Sequence, residues 1–380
     1  MEEFVPVTQP FLPPLADFMP YLQQIWQSKQ VTNGGPFHAQ LEEALCDYLG
    51  VEHLSLFSNG TLALITALQA MKVTGEVITT PFSFVATTHA LHWNGIKPVF
   101  ADIDPVSMNL DPGRIEAAIT PHTTAILPVH VYGNPCDVEA IERIADTYAL
   151  RVLYDAAHAF GVRKDGQSIL RFGDMSVLSF HGTKIFNTFE GGAIVCRDAK
   201  TKRHIDHLKN FGFVDEVTVV KPGINAKMNE LQAAFGLLHL QYMDEITQAR
   251  AHIAARYRAA FSDVDGLILH HIPASCTRNN SYFPIRVTER FPVSRDELYA
   301  RLRTRNVGVR RYFYPLISEF PSYRGLPSAG QGNLPVASEI SHQVLCLPIY
   351  PALDAASQDR VIETVLAAAC VERRRLVATP

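Results

Sequence analysis

The chain has 380 residues, of which 47% are hydrophobic and 19% are charged, with a formal net charge of -4. This is the composition of a globular protein long enough for about two domains, and the charge gives no electrostatic reason to expect a nucleic acid or an acidic membrane as partner. The six cysteines are scattered without a CxxC pair, which predicts reduced thiols in a cytoplasmic protein and neither a zinc site nor a disulfide framework. The N-terminal MEEFVPVTQPFLPPL lacks the apolar core of a secretory signal, and no apolar run is long enough to span a bilayer.

Short apolar runs, ending in Gly, Pro, Asp or Ser, alternate with segments of helical period in the first half of the chain. Each apolar run predicts a strand buried on both faces. These runs are HLSLFS, EVITTP, KPVFADID, TTAILPVHVYG, LRVLYDAAH, DMSVLSFHG and GGAIVCRD, and the helices predicted between them are TLALITALQAM, SFVATTHALHWNG, DPGRIEAAIT and DVEAIERIADTYA. This alternation predicts an α/β fold with a mostly parallel central sheet flanked by helices. Such sheets bind ligands at the carboxyl ends of their strands.

A long helical segment follows, NAKMNELQAAFGLLHLQYMDEITQARAHIAARYRAAF, and we expect it to break near the aspartate of YMDEI. Beyond it, NSYFPIRV predicts a strand, and SRDELYARLRTRN and QDRVIETVLAAACVE predict helices. The sequence therefore predicts a large α/β domain with an N-terminal arm over residues 1–250 and a smaller α+β domain over residues 251–380.

A possible anion site follows the first predicted strand. Ser58, Asn59, Gly60 and Thr61 lie between that strand and its helix, in FSNGTLALITAL. A helix that starts after a glycine-containing turn leaves backbone amides free to bind an anion, most often a phosphate. An ordinary N-cap and turn would have the same sequence, so this motif alone leaves both interpretations open.

An acidic residue ends a later buried strand. Asp155 closes that strand in VLYDAAHAFG, with His158 three residues further on. A buried carboxylate needs a cationic partner, which a protonated heterocyclic nitrogen would supply. Capping of a short turn is the alternative role for the aspartate.

Lys184 lies between two apolar runs in VLSFHGTKIFNTFEGGAIVCRD. Such a lysine either extends its amine to solvent or reacts, because desolvation lowers the pKa of the amine and frees it to form a Schiff base with an aldehyde. A phosphate site, an acid for a pyridinium nitrogen and a reactive amine occur in that order along an α/β chain. Together they fit one cofactor, pyridoxal 5'-phosphate (PLP).

The sequence resembles the DegT/DnrJ/StrS family of sugar aminotransferases, which belong to the fold-type I enzymes that depend on PLP. The resemblance covers almost the whole chain. It rests on blocks that occur in the order of the family: QVTNGGPFHAQLEEAL, SNGTLAL, TTPFSFVATTHAL, PVHVYGNPCD, YDAAHAFG, SFHGTKIFNTFEGGAIV, GINAKMNELQAAFG and LPIYPAL.

The resemblance implies roles for residues around the cofactor. Lys184 matches the lysine that binds the cofactor and later transfers protons, and Asp155 matches the acid that keeps the pyridine nitrogen protonated. Phe84 matches the aromatic ring that covers the cofactor, whereas a place in the core is the alternative, above all for neighbouring Phe82. The phosphate-binding positions fall on Ser58, Gly60, Thr61 and Ser179.

The resemblance also implies a homodimer with shared active sites. Asn225, in PGINAKMNELQ, matches an asparagine that reaches the phosphate from the neighbouring subunit. Capping of its own helix is the alternative role for this residue.

Two positions bear on the reaction. His158 stands where the family often has glutamine, which leaves its expected contact with the ring hydroxyl of the cofactor open. Lys184 is retained, whereas a dehydratase branch of the family has histidine there, and this favours transamination.

Members that act at carbon 3 commonly resemble SFYPxKNLGAxGDAG around the lysine. This chain has SFHGTKIFNTFEGGA, with His181 in place of the tyrosine and Glu190 before paired glycines, and is more similar to transaminases that aminate carbon 4.

The resemblance implies transfer of an amino group from L-glutamate to a nucleotide-linked 4-keto-6-deoxy sugar, for surface polysaccharide such as lipopolysaccharide O-antigen. We expect dTDP-4-keto-6-deoxy-D-glucose as the sugar substrate. His181 is expected to orient substrate or assist proton transfer, with a structural role as the alternative, and Thr32, Asn33 and Tyr314 are expected to contact substrate. No metal is expected. The rival functions are a 3-keto sugar aminotransferase, a PLP-dependent dehydratase or lyase, and a non-catalytic regulator that binds PLP.

Overall fold

The computed structural model describes residues 3–370 of the chain. In this range the strands β1 to β12 comprise His53–Phe57, Glu76–Thr79, Lys97–Phe100, Thr123–Leu127, Arg151–Asp155, Arg163–Lys164, Gln167–Ser168, Met175–Ser179, Gly192–Cys196, Leu267–Leu269, Phe283–Val287 and Val344–Leu347. The helices α1 to α12 of the same range comprise Leu15–Ser28, Pro36–Leu49, Gly60–Ala70, Ala86–Trp93, Pro112–Ile115, Val138–Tyr148, Ala199–Leu208, Glu230–Gln241, Met243–Phe261, Arg295–Thr304, Pro335–Gln343 and Ala355–Ala369.

The central sheet of the described residues has seven strands in the order β1-β9-β8-β5-β4-β2-β3. Neighbouring strands from β8 to β3 pair in parallel, and β9 runs antiparallel to both β1 and β8. The sheet therefore has six strands in one direction and one in the other. Helices cover both faces, with α3 and α7 on one side and α2 and α8 on the other. The predicted α/β class with a mostly parallel sheet is confirmed, and the fold is that of the fold-type I enzymes.

Local sequence sets where many helices begin. The caps of α3, α6, α8 and α12 are Asn59, Asp137, Asn229 and Asp354, and each side chain accepts a backbone N–H from the first turn. Such a bond satisfies an amide that has no acceptor inside its own helix. The strands between these helices are buried on both faces, as the apolar runs predict.

Several elements are shorter than their sequence patterns predict. Helix α4 begins at Ala86, because residues 83–85 form an irregular entry to it. Helix α5 ends at Ile115 and tightens into a single 3-10 turn. Strand β4 ends at Leu127, because the next residue, Pro128, has no N–H to donate to a neighbouring strand.

The long helical segment is broken at Tyr242, close to the predicted aspartate, and gives the two helices α8 and α9. Helix α9 packs its first residues in the core of the large sheet and its later residues, from Ile253 on, in a second core. The second core covers the described three-stranded sheet β10-β11-β12, together with α10 and α12. Val5 from the N-terminal segment joins this second core and pairs with Val307.

The boundary at residue 250 between a large and a small domain stays a prediction. Residues 371–380 of the predicted second domain, including the last two residues of QDRVIETVLAAACVE, lie outside the described residues, as do residues 1 and 2. Over residues 3–370, each helix is too short or too polar to serve as a membrane span.

Candidate active site

The carboxyl edge of the central sheet gathers most of the residues that the sequence singles out. Ser58 follows β1, Asp155 ends β5 and Ser179 ends β8. Because these strands run in the same direction, their carboxyl ends lie at one edge of the sheet. Lys184 follows in the loop between β8 and β9.

The start of α3 has free backbone amides that could bind a phosphate. The side chain of Asn59 accepts the N–H of Leu62 at 2.8 Å, so the amides of Gly60 and Thr61 come before the capped amide and have no acceptor within the helix. A Cβ atom on Gly60 would lie 3.0 Å from Ser179 Cβ and 3.3 Å from its Oγ. The glycine therefore lets Ser179 approach the helix start. The cap is present, and binding of an anion at the same turn stays a prediction.

Asp155 is a buried carboxylate with a defined orientation. Its Oδ2 accepts the hydroxyl of Thr87 at 2.7 Å, and its Oδ1 accepts the N–H of Ala157 at 3.1 Å. The second bond is the turn contact that the sequence left as an alternative. Burial raises the pKa of Asp155, whereas these two hydrogen bonds and the charge of Lys184 act to lower it. A cation placed against this carboxylate would relieve the unfavourable burial of its charge.

Lys184 has an amine prepared for nucleophilic chemistry. Burial lowers its pKa from 10.5 to about 8, although the negative charge of Asp155 opposes the shift. At neutral pH a usable fraction of the amine is therefore unprotonated, as attack on an aldehyde requires. Its Nζ donates a hydrogen bond to the hydroxyl of Tyr282 at 3.2 Å.

His158 is a neutral ring at the same edge. It is buried, and burial holds its pKa well below the ordinary value, an effect to which the charge of Lys184 adds. Its Nδ1 accepts the N–H of Tyr132 at 3.2 Å, so the neutral ring carries its proton on Nε2. A neutral histidine in this state can donate one hydrogen bond to a ligand oxygen, which is the capacity that the glutamine of the family would offer.

The two phenylalanines before α4 differ sharply in burial. Phe82 is fully buried and packs edge-on against Tyr132 and Phe313. Phe84 is 59% exposed and lies three residues before Thr87, which binds Asp155. An exposed aromatic ring in this position suits a stacking role, whereas Phe82 is the core residue.

His181, Thr32 and Asn33 lie at the surface, and His181 belongs to the lysine loop. His181 is exposed, its Nδ1 lies 2.8 Å from the Thr183 hydroxyl, and its Nε2 lies 3.7 Å from Glu190 Oε1. Thr32 and Asn33 are exposed between α1 and α2.

Glu230, at the start of α8, binds the start of α2, which directly follows the turn that carries Thr32 and Asn33. The two carboxylate oxygens of Glu230 accept the N–H groups of Phe37 and His38 at 2.9 Å each. Helix α8 in turn contacts the lysine loop, since Gln232 donates to the carbonyl of Glu190 at 2.6 Å. The substrate roles predicted for these residues stay predictions.

Tyr314 lies beside α10 and α11, where its ring contacts Arg295 and His342. Two residues earlier, Tyr312 packs its ring edge-on against Tyr282, with 5.7 Å between centroids. Tyr282 is the residue that binds Lys184. The structure thus brings Tyr312 nearer to the lysine through this contact, and the substrate contact of Tyr314 stays a prediction.

Asn225 lies beside the turn that precedes α3 of its own chain. The next residue, Ala226, accepts the N–H of Ser58 at 2.8 Å, and Asn225 itself is exposed. The cap of α8 is Asn229, so the alternative in which Asn225 caps that helix is wrong. Contact of Asn225 with a neighbouring subunit stays a prediction.

Two functional contacts were missed by the sequence reasoning. Thr87 binds Asp155, and its hydroxyl lies 2.9 Å from that of Ser83, four residues before it. The four-residue spacing of Ser83 and Thr87 in the predicted helix SFVATTHALHWNG was the available signal. Tyr282 binds Lys184 from just before β11, and no local pattern marks it.

These residues fit PLP by the chemistry of their side chains. The helix start and Ser179 offer donors to a phosphate, Asp155 offers a charge to a protonated ring nitrogen, and Lys184 offers an amine to the aldehyde. Ser179 approaches Gly60 so closely that a Cβ atom at residue 60 would displace it by a few tenths of an ångström. Among residues 3–370, no group of three or more His, Cys, Asp or Glu side chains could hold a metal ion.

Comparison with known proteins shows the family of this chain. Residues 15–366 match the model of the DegT/DnrJ/EryC1/StrS aminotransferase family. The chain belongs to this family, and it is a PLP-dependent sugar aminotransferase. It is 54% identical over 365 residues to a dTDP-4-amino-4,6-dideoxy-D-glucose transaminase of Shigella dysenteriae, covering 96% of this chain and 99% of the relative.

Solved structures agree at the level of the fold. The structure of DesI, determined in the presence of its TDP-sugar product, matches with a TM-score of 0.92 and 36% identity, over 97% of this chain and 94% of that one. NtdA from Bacillus subtilis, with bound cofactor PMP, matches with a TM-score of 0.85 and 30% identity, over 97% of this chain and 86% of that one.

Proposed function

We propose that this aminotransferase moves the amino group of L-glutamate to carbon 4 of dTDP-4-keto-6-deoxy-D-glucose and so makes dTDP-4-amino-4,6-dideoxy-D-glucose. The 54% identity to the Shigella dysenteriae transaminase over almost the full length of both chains supports this sugar. The observation that carries the reaction type is Lys184, an amine whose pKa burial lowers to about 8 beside the buried Asp155.

Each residue of the site has a task in such a transfer. Bound PLP supplies an aldehyde that accepts amines and a ring that withdraws electrons from the carbon losing a proton. Lys184 would hold the aldehyde of the bound cofactor and, when its amine is free, would act as the base and then the acid for the moving proton. Asp155 would keep the ring nitrogen protonated, and the start of α3 with Ser179 would hold the phosphate.

One assay separates this function from its rivals. A sugar aminotransferase acting at carbon 4 forms 2-oxoglutarate from glutamate in proportion to the 4-keto sugar nucleotide added, and the 3-keto isomer is a poor acceptor. A dehydratase or lyase would consume the sugar without forming 2-oxoglutarate, and a regulator would do neither. NMR of the product would locate the new amine, and an amine at carbon 3 would contradict the proposal.

We further propose a homodimer in which Asn225 contributes to the partner's phosphate site. Two segments expose large apolar side chains, as surfaces that pack against other proteins do. Helix α1 exposes Leu15 and Trp26, at 70% and 74%. The segment 211–224 exposes a further set, namely Phe211, Val214, Val217, Val219 and Val220. Asn225 directly follows this second segment, so a partner that covers it would bring the asparagine to the interface.

The dimer can be tested directly. Sedimentation should give twice the monomer mass, and Val217→Asp, at a side chain that is 86% exposed, should shift the protein toward the monomer because a charge would enter the interface. A Val217→Asp protein that remains dimeric would contradict this interface.

We propose a cytoplasmic enzyme whose amino sugar is used in surface polysaccharide, such as O-antigen.

A further inference from the structure

We propose that Tyr282 is a positioning residue for Lys184, and that its hydroxyl holds the lysine amine whenever that amine is not bonded to the cofactor. The Nζ of Lys184 donates to the Tyr282 hydroxyl at 3.2 Å and lies 5.7 Å from the ring centroid. The two residues are 98 positions apart. The inference rests on Lys184 being the amine that reacts with PLP and does not depend on the identity of the sugar.

The ring of Tyr282 is held by its neighbours. It meets the His158 ring at 4.8 Å in an edge-on arrangement and the Tyr312 ring at 5.7 Å. The segment before it is bound to the same region, because Asn279 donates to the carbonyl of His158 at 2.8 Å. The hydroxyl therefore has a fixed position relative to the carboxyl end of β5.

A buried arginine fixes the backbone that leads to Tyr282. Arg250 is 2% exposed, and its Nη1 donates to the carbonyls of Asn280, Ser281 and Ile349 at 3.2, 3.4 and 3.1 Å. Three carbonyls on one guanidinium hold the entry to β11 against the loop that follows β12. Tyr282 thus reaches Lys184 from a rigid support on the second sheet.

A phenol suits this task better than a carboxylate would. Burial raises the pKa of Tyr282, so the hydroxyl stays neutral and can accept from, or donate to, the amine. A second carboxylate beside Asp155 would stabilise the ammonium form and keep the amine protonated. Among the described residues, Asp155 and His158 interact electrostatically with Lys184, and Arg250, Cys346 and Asp155 interact with Tyr282.

The test uses Tyr282→Phe, which keeps the ring and removes only the hydroxyl. In the cofactor-free protein, the pKa of Lys184 is measured from the pH dependence of its chemical labelling, followed by mass spectrometry of its peptide. Hydrogen bonds to a charged donor are stronger than those to a neutral one, so loss of the acceptor should lower this pKa by about 0.5 to 1 pH unit. In the loaded enzyme, the single-turnover rate with glutamate should fall about tenfold, while the dissociation constant of PLP changes less than about threefold.

Tyr132→Phe is the matched control. It loses a hydroxyl in the same aromatic cluster, but that hydroxyl binds the Tyr312 carbonyl, so Tm should fall while the pKa of Lys184 stays that of the native protein. If Tyr282→Phe leaves the Lys184 pKa unchanged, the proposal is wrong, whether or not turnover falls. Borohydride reduction of the native protein with PLP and peptide mapping check separately that Lys184 is the reacting amine.

Discussion

Asp155→Asn is the substitution that best separates the function of the site from its stability. Asparagine has the shape of aspartate, so its side-chain oxygen can still accept the N–H of Ala157, and its amide can donate to the Thr87 hydroxyl. The change therefore removes a charge and leaves the local packing in place. In the cofactor-free protein that charge is buried, and burial raises the pKa of Asp155.

Asp155→Asn should leave the stability of the cofactor-free protein equal or higher, but should lower the turnover of the loaded enzyme. Without cofactor, the free energy of unfolding should stay equal or rise by on the order of 1 kcal/mol, because an amide avoids the desolvation of a buried carboxylate. With cofactor, the protonated ring nitrogen loses its partner, and breaking a buried charge pair costs about 3–5 kcal/mol. If most of this appears in the barrier to proton removal, turnover falls by about two to three powers of ten.

The measurements are thermal unfolding of the cofactor-free protein and single-turnover formation of 2-oxoglutarate from glutamate. Asp102→Asn is a matched control, because Asp102 is also buried but accepts the N–H groups of Ile103, Val336 and Ala337, none of which is a site residue. It should lose stability and keep the turnover of the loaded enzyme. If Asp155→Asn turns over within about threefold of the native rate, another group protonates the ring and the role assigned to Asp155 is wrong.

Three further predictions concern the cofactor and the dimer. Gly60→Ala should raise the dissociation constant of PLP about tenfold, because the added Cβ would push Ser179 away, but should hardly change that of pyridoxal, which has no phosphate. Gly325→Ala is the control, because a Cβ there meets no atom within 4 Å. Equal effects of Gly60→Ala on both ligands would contradict a phosphate site at this turn. The rate at which the cofactor-free protein binds PLP should rise with pH, with a midpoint near 8, the pKa of Lys184, because only the neutral amine attacks the aldehyde. A rate that still rises near the ordinary lysine pKa of 10.5 would show an unperturbed amine. Mixing inactive Lys184→Ala with inactive Asn225→Asp under confirmed subunit exchange should restore some activity, since one site of the mixed dimer has both native residues, and no recovery would rule out shared sites.

The sequence by itself determined which segments of the chain form the central strands and which candidate residues directly follow them. Seven apolar runs became the seven strands of the central sheet in the described residues, because a parallel sheet buried on both faces needs continuous apolar segments. Asp155 and Gly60 could be located for the same reason, since the end of a strand and the start of a helix are visible in local sequence.

The tertiary structure alone decided how these residues are oriented and held. Tyr282 meets Lys184 across 98 residues, and Thr87 meets Asp155 across 68. Phe82 and Phe84 are two positions apart with the same side chain, and only the irregular entry to α4 makes one of them core and the other exposed. Such contacts depend on how distant segments pack, and neither the period nor the composition of a segment contains that information.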